Sequence, residues 1–203
     1  MGYGRVMLVL LVVLLAVGCG GGSDDIAVDP SVAIESFDAS PEAGSRSRAH
    51  LNAAVLTEPD ASREAALDHL ESQDPDVRIA AVYALSITLQ PDDADALAPL
   101  LETDSSGQRV LAAAGMLAVG DGRAVPVLIS ALEVEDPLPF GSPPLRVWEQ
   151  ARFALLSFTG EDLGLREAAT AQDAAATAAE WESWWASAEG SFEVVRAPGL
   201  VDR

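Results

Sequence analysis

Apolar residues recur at helical spacing over most of the chain. Leu67 and Leu70, Leu97 and Leu100, and Leu128 and Leu132 each lie three or four positions apart, the interval that places side chains on one face of a helix. Each pair is followed by a denser apolar segment: "DPDVRIAAVYAL" (Asp74 to Leu85), "SGQRVLAAAGML" (Ser106 to Leu117) and "WEQARFALLSFTG" (Trp148 to Gly160). Ile79 and Leu111, Ala80 and Ala112, and Leu85 and Leu117 are each 32 residues apart, and Leu155 follows Leu117 by 38. The longer third interval contains "DPLPFGSPP" (Asp136 to Pro144), whose four prolines cannot continue a helix and predict a loop inserted between two helices. The pattern predicts two amphipathic helices per repeat, each needing neighbours to cover it.

End signals agree with this partition. Asp74, Pro75 and Asp76 make a helix start, with a capping carboxylate, a proline whose missing N–H costs nothing there, and an acid at the positive end of the helix dipole. Pro91 with Asp92, Asp93 and Asp95 opens another helix, and Gly120, Gly160 and Gly190 stand where helices should stop. No stretch alternates with period two for long enough to predict a strand, so the expected class is all-α.

The repeated segments, with "DGRAVPVLISALEVEDP" and "ARFALLSFTGEDLG", resemble the short HEAT-like repeats of many bacterial proteins and of phycobilin lyases, over residues 60–190. The resemblance implies a short right-handed α-solenoid of helix pairs, with the second helices, including Asp76 to Thr88 and Gln108 to Ala118, lining a concave face. It also implies that an aspartate before the second helix and an arginine in its first turn link adjacent repeats. Asp74 with Arg78 fits, Asp104 with Arg109 fits with one extra residue, and in the third copy the arginine is displaced to Arg146 or Arg152. "AAEWESWWAS" (Ala178 to Ser187) is similar to a tryptophan-rich ending of bacterial HEAT-repeat proteins, and Trp181, Trp184 and Trp185 share one helical face. That face is expected to cap the last repeat, Trp181 pointing inward, with anchoring of a partner as the other reading of the same residues.

The N-terminus has a different pattern. Val6 to Val17 is apolar throughout, follows Arg5, and is too short to span a bilayer, which needs about twenty such residues. It runs into "LAVGCGGGSDD", residues 15–25, which holds the only cysteine of the chain. The stretch resembles the lipobox of bacterial lipoproteins, with Ala16 where leucine is most frequent. The resemblance implies a signal peptide over residues 1–18, cleavage before Cys19, and acyl chains such as palmitate on Cys19. The chain is then expected in the bacterial cell envelope, held by lipid to a membrane outside the cytoplasm. Gly20 to Ser45 is rich in Gly, Ser, Asp, Ala and Pro without a period, so residues 19–45 are expected to be a disordered tether. Residues 46–190 are expected to be one repeat domain, and residues 191–203 a tail.

Charge narrows the partners. The net charge is −20, and all 12 basic residues are arginine. Phosphate backbones need clustered cations, so no nucleic-acid partner is expected. Chemistry is equally sparse. His50 and His69 are the only histidines, and neither lies near a nucleophile motif. Zinc ligands, a calcium loop, a phosphate loop and a dinucleotide fingerprint are all missing from the sequence, so no catalytic residue, cofactor or metal is expected. The expected role is a protein–protein interaction scaffold rather than an enzyme, with Arg78, Arg109, Trp184 and Trp185 as candidate partner-binding residues. The alternative is a lyase-like or ligand-handling repeat protein.

Overall fold

A computed structural model describes residues 28–40, 43–141 and 144–195. The protein is all-α among the described residues, and its closest approach to a strand is one isolated antiparallel bridge between Pro137 and Arg146. The described residues form ten α-helices in order: α1 (Pro30–Glu35), α2 (Gly44–Thr57), α3 (Pro59–His69), α4 (Pro75–Thr88), α5 (Ala94–Leu97), α6 (Ser106–Ala118), α7 (Ala124–Ser130), α8 (Val147–Phe158), α9 (Ala171–Ala176) and α10 (Ala178–Ala188).

The repeated apolar segments form the centre. α4 packs on α6 and α6 on α8, while α3 packs on α4 and α7 on both α6 and α8. α6 is buried on every side from Val110 to Ala118. Its all-round apolar sequence requires that, because a helix with no polar stripe has no face to offer water. The start signals work as expected: Asp74 accepts from Asp76 N at 2.9 Å, with Pro75 in the first turn. In the next repeat the capping residue is Ser105, not Asp104, since Ser105 Oγ accepts from Gln108 N at 3.4 Å. Ser105 precedes Arg109 by the same four residues that separate Asp74 from Arg78, which removes the apparent extra residue. The segment opened by Pro91 is not one helix. A 3-10 turn (Pro91–Asp93), α5 and a second 3-10 stretch (Ala98–Glu102) succeed one another, because Pro99 has no N–H to give to a continuing helix. Gly120 and Gly160 do terminate helices with φ of 96° and 78°, whereas Gly190 lies within a 3-10 turn (Glu189–Ser191).

Three expectations are corrected. The expected tether, residues 19–45, is folded over its described part. Asp29 caps α1 by accepting from Ser31 N at 2.9 Å, Pro30 follows it, and Ala33, Ile34 and Phe37 are buried against the main core. α1 packs on α2, α3 and α4, and Ala39 N donates to Asp76 Oδ2 at 3.0 Å. The packed unit therefore begins by Val28 rather than near residue 46, and it ends later than residue 190. Phe192 stacks edge-on against Trp184 and Trp185, and Val195 N donates to Phe158 O at 2.9 Å.

The proline-containing insert does not loop out. Leu138 and Phe140 are 1% and 3% exposed. Phe140 stacks on Tyr83 of α4 with ring centroids 4.0 Å apart, and on Phe37 at 5.4 Å. Leu138 lies over the first turn of α6, beside Gly107 and Ile79. Arg48 of α2 donates to Pro139 O at 3.2 Å, and Leu138 N to Leu145 O at 2.7 Å. The proline-rich segment thus covers part of α4 and the first turn of α6, helices expected to line a concave face, and Phe37 and Arg48 from the N-terminal side contact the insert in turn.

Candidate functional site

Cys19, the expected point of lipid attachment, lies outside the described residues, as do residues 1–18. Among the described residues no helix is long and apolar enough to cross a membrane.

Arg78 and Arg109 occupy the same position in successive second helices and do the same work. Arg78 Nη1 donates to Ser72 O at 2.6 Å and Arg109 Nη1 to Thr103 O at 2.9 Å, each closing the turn six residues back. A guanidinium given to a carbonyl of its own turn fixes the angle between two helices of one repeat; it does not link repeats. Arg146 plays the corresponding part in the third copy, donating to Glu135 O at 2.7 Å, while Arg152 reaches forward to Leu165 O and Arg166 O at 2.8 and 2.7 Å.

Beside the packing of α4 on α6 and of α6 on α8, two arginine–aspartate pairs tie α3 to the 3-10 turn at Pro91–Asp93 and α5 to the chain before α7. Arg63 of α3 holds Asp93 with two hydrogen bonds, from Nε and Nη2, and Arg123 before α7 donates to Asp95 Oδ1 at 2.7 Å. Arg123 also grips Asp121, two residues back. The Arg63 guanidinium holds the Asp93 carboxyl below the usual carboxylate range, against an upward push from burial, and Arg123 does the same for Asp121. The sequence signal was present in "SREAAL" and "PDDADAL", but carboxylates crowded at a helix start have a local use as caps, which concealed their use between repeats.

The tryptophans divide by depth. Trp181 is wholly buried, and its indole N–H has no partner. Trp185 is 8% exposed, its ring lying over Gly122, where a Cβ would come within 2.8 Å of it. Trp184 is half-buried, edge-on to Trp181 with centroids 5.5 Å apart. Of the two proposed partner anchors, Trp185 is therefore committed to the interior and only Trp184 presents part of its ring.

What α3 and the segment after it expose is mostly acidic. Asp60, Glu64 and Asp68 are exposed at intervals of four along α3, hence on one stripe, and Asp92, Asp95 and Glu102 are exposed on the segment that follows. Beside the stripe, α1 and α3 border an open groove of about 600 Å³ lined by Asp29, Glu58, Glu64 and Asp68 with Val28 and Ala61. No group of three or more histidine, cysteine or acidic side chains among the described residues is placed to hold a metal ion. The arrangement can attract a positively charged surface. His69 is half-buried and held at both ring nitrogens, by Ala65 O at 2.7 Å and Glu35 Oε1 at 3.1 Å. No protein-family model matches the chain, and no curated protein matches it.

Proposed function

We propose that the protein is a lipoprotein of the bacterial cell envelope, anchored to a membrane by acyl chains on Cys19, whose helical stack serves as a scaffold for another protein. The lipobox-like run ending at Cys19 supports the anchor. Val28, already part of the folded unit, is nine residues beyond Cys19. Nine residues span at most about 30 Å when fully extended, so the domain would be held close to the bilayer. In this reading the fold is a short right-handed α-solenoid of HEAT-like pairs. The packing of α4 on α6 on α8 and the Arg63–Asp93 and Arg123–Asp95 pairs between first helices support it. α10 closes the C-terminal end, supported by its packing on α7 and by the burial of Trp181.

The observation that carries the scaffold reading is the division of the two helix layers. The insert covers part of α4 and the first turn of α6 with Phe140 and Leu138, while α3 turns the stripe Asp60, Glu64 and Asp68 to solvent. A partner with a basic surface fits that stripe, drawn by long-range attraction that salt weakens. Pull-down of the lipidated protein from detergent extract is expected to recover a protein in fixed stoichiometry. Salt should release it, and the triple variant Asp60→Asn, Glu64→Gln, Asp68→Asn should lose it. Recovery of a monomer carrying a small molecule, or of a partner indifferent to salt and to these substitutions, would overturn the proposal.

A further inference from the structure

We infer that His69 and Glu35 form a proton-dependent clasp between α3 and α1, closed when the imidazole carries both ring protons and loosened when it loses one. The geometry requires two donors. Ala65 O lies 2.7 Å from Nδ1 and Glu35 Oε1 lies 3.1 Å from Nε2, and both partners only accept. A neutral imidazole has one N–H and one lone pair, so in that state one nitrogen faces an oxygen lone pair with nothing between them. The imidazolium satisfies both contacts and places a positive charge against the Glu35 carboxylate.

The surrounding charges act in the same direction. The hydrogen bond to the Ala65 carbonyl raises the His69 pKa above its ordinary 6.5, burial opposes it, and Glu35 and Asp68 add to the rise. Of the other helices packed on α3, α4 brings Asp76, occupied by Ala39 N, and Arg78, turned to Ser72 O. α2 brings Arg46, Arg48 and His50, with Arg48 turned to Pro139 O. α1 is six residues long, and isolated helices of that length are not stable, so its order depends on docking. Ala33 and Ile34 dock its buried face, and the clasp fastens its last residue. A folded-state pKa above the unfolded one means that the clasp contributes fully below 6.5 and is lost as pH rises through the folded value. α1 is therefore held more firmly in mildly acidic surroundings. The clasp follows from the fold alone and stands whether or not Cys19 is lipidated.

The test follows the His69 ring by NMR through a pH titration, with amide protection factors in α1, which divide out the intrinsic pH dependence of exchange. The His69 midpoint is expected above its ordinary value and lower in Glu35→Gln, an exposed position that leaves the fold intact. Protection of Ile34 and Ser36 is expected to fall several-fold as wild type passes through that midpoint, and to lose that step in His69→Gln. A His69 midpoint at or below the ordinary value, constant protection in wild type, or the same pH dependence in His69→Gln would each overturn the clasp.

Discussion

Gly115 lies where α6 crosses α4, and its missing side chain sets their separation. A Cβ there would fall 2.8 Å from Ser86 Cα and 3.1 Å from Ser86 O, and both obstacles belong to backbone that cannot swing aside. Alanine is the better helix former by up to about 1 kcal/mol, yet forcing extra volume into a packed crossing costs roughly 1–3 kcal/mol. The packing effect wins, so Gly115→Ala is expected to lower the denaturant midpoint. Gly190, with nothing within 4 Å of its added Cβ, is the contrasting site where alanine is expected to be neutral or slightly stabilising. An unchanged or raised midpoint in Gly115→Ala would mean that the α4–α6 contact is looser than the atoms place it. Nothing in "AAAGML" separates this glycine from one that merely completes a small-residue run, because the demand comes from Ser86 on another helix.

At the scale of elements, the insert between α7 and α8 behaves as core. Phe140 is held between Tyr83 and Phe37, so one ring joins α4, the insert and the chain after α1. Truncating a buried aromatic ring costs about 3–5 kcal/mol. At roughly 2–4 °C per kcal/mol for a protein of this size, Phe140→Ala should lower the melting midpoint by about 6–20 °C. A shift within a degree or two in calorimetry would return the insert to the status of a surface loop. Its role was hard to read because proline excludes helix but says nothing of burial. Only Leu138 and Phe140 carry the alternation that places both on one side, too short a run to weigh against the seven turn formers around them. α1 escaped for a related reason. Six residues are less than two helical turns, so no period can develop, although Asp29–Pro30 is the same start signal that was legible in Asp74–Pro75. The long second helices were legible because each buries several turns of one face. The links between repeats were not, since an arginine and an aspartate about thirty residues apart leave no local pattern.

The charge of the whole molecule works against its own compactness. Against 32 acidic residues stand 12 arginines, and several of those are spent on carbonyls rather than carboxylates, among them Arg78, Arg109 and Arg152. Exposed acids such as Asp60, Glu64 and Asp68 therefore repel one another through solvent, over distances that salt screens. Salt also weakens the Arg63–Asp93 and Arg123–Asp95 pairs, so the two effects compete. The exposed Arg123–Asp95 pair is worth little, with a median of about 0–1 kcal/mol for such pairs, and the more enclosed Arg63–Asp93 pair is screened less by salt, whereas repulsion acts between every pair of the excess carboxylates. Repulsion should win, and at pH 7 the melting midpoint is expected to rise as salt is added. Acid acts in two stages. Lowering the pH from neutral toward about 5 protonates His69 and begins to relieve the repulsion, so stability should rise. Asp93 and Asp121 have folded-state pKa values below their ordinary 3.8. Their contribution is complete above that value and is lost as pH falls through the folded one. The stability profile should thus peak on the acid side of neutrality and fall steeply only at strongly acidic pH. Thermal melts across pH and salt decide it. A midpoint that falls with added salt at pH 7 would show that the arginine–aspartate pairs outweigh the excess of negative charge.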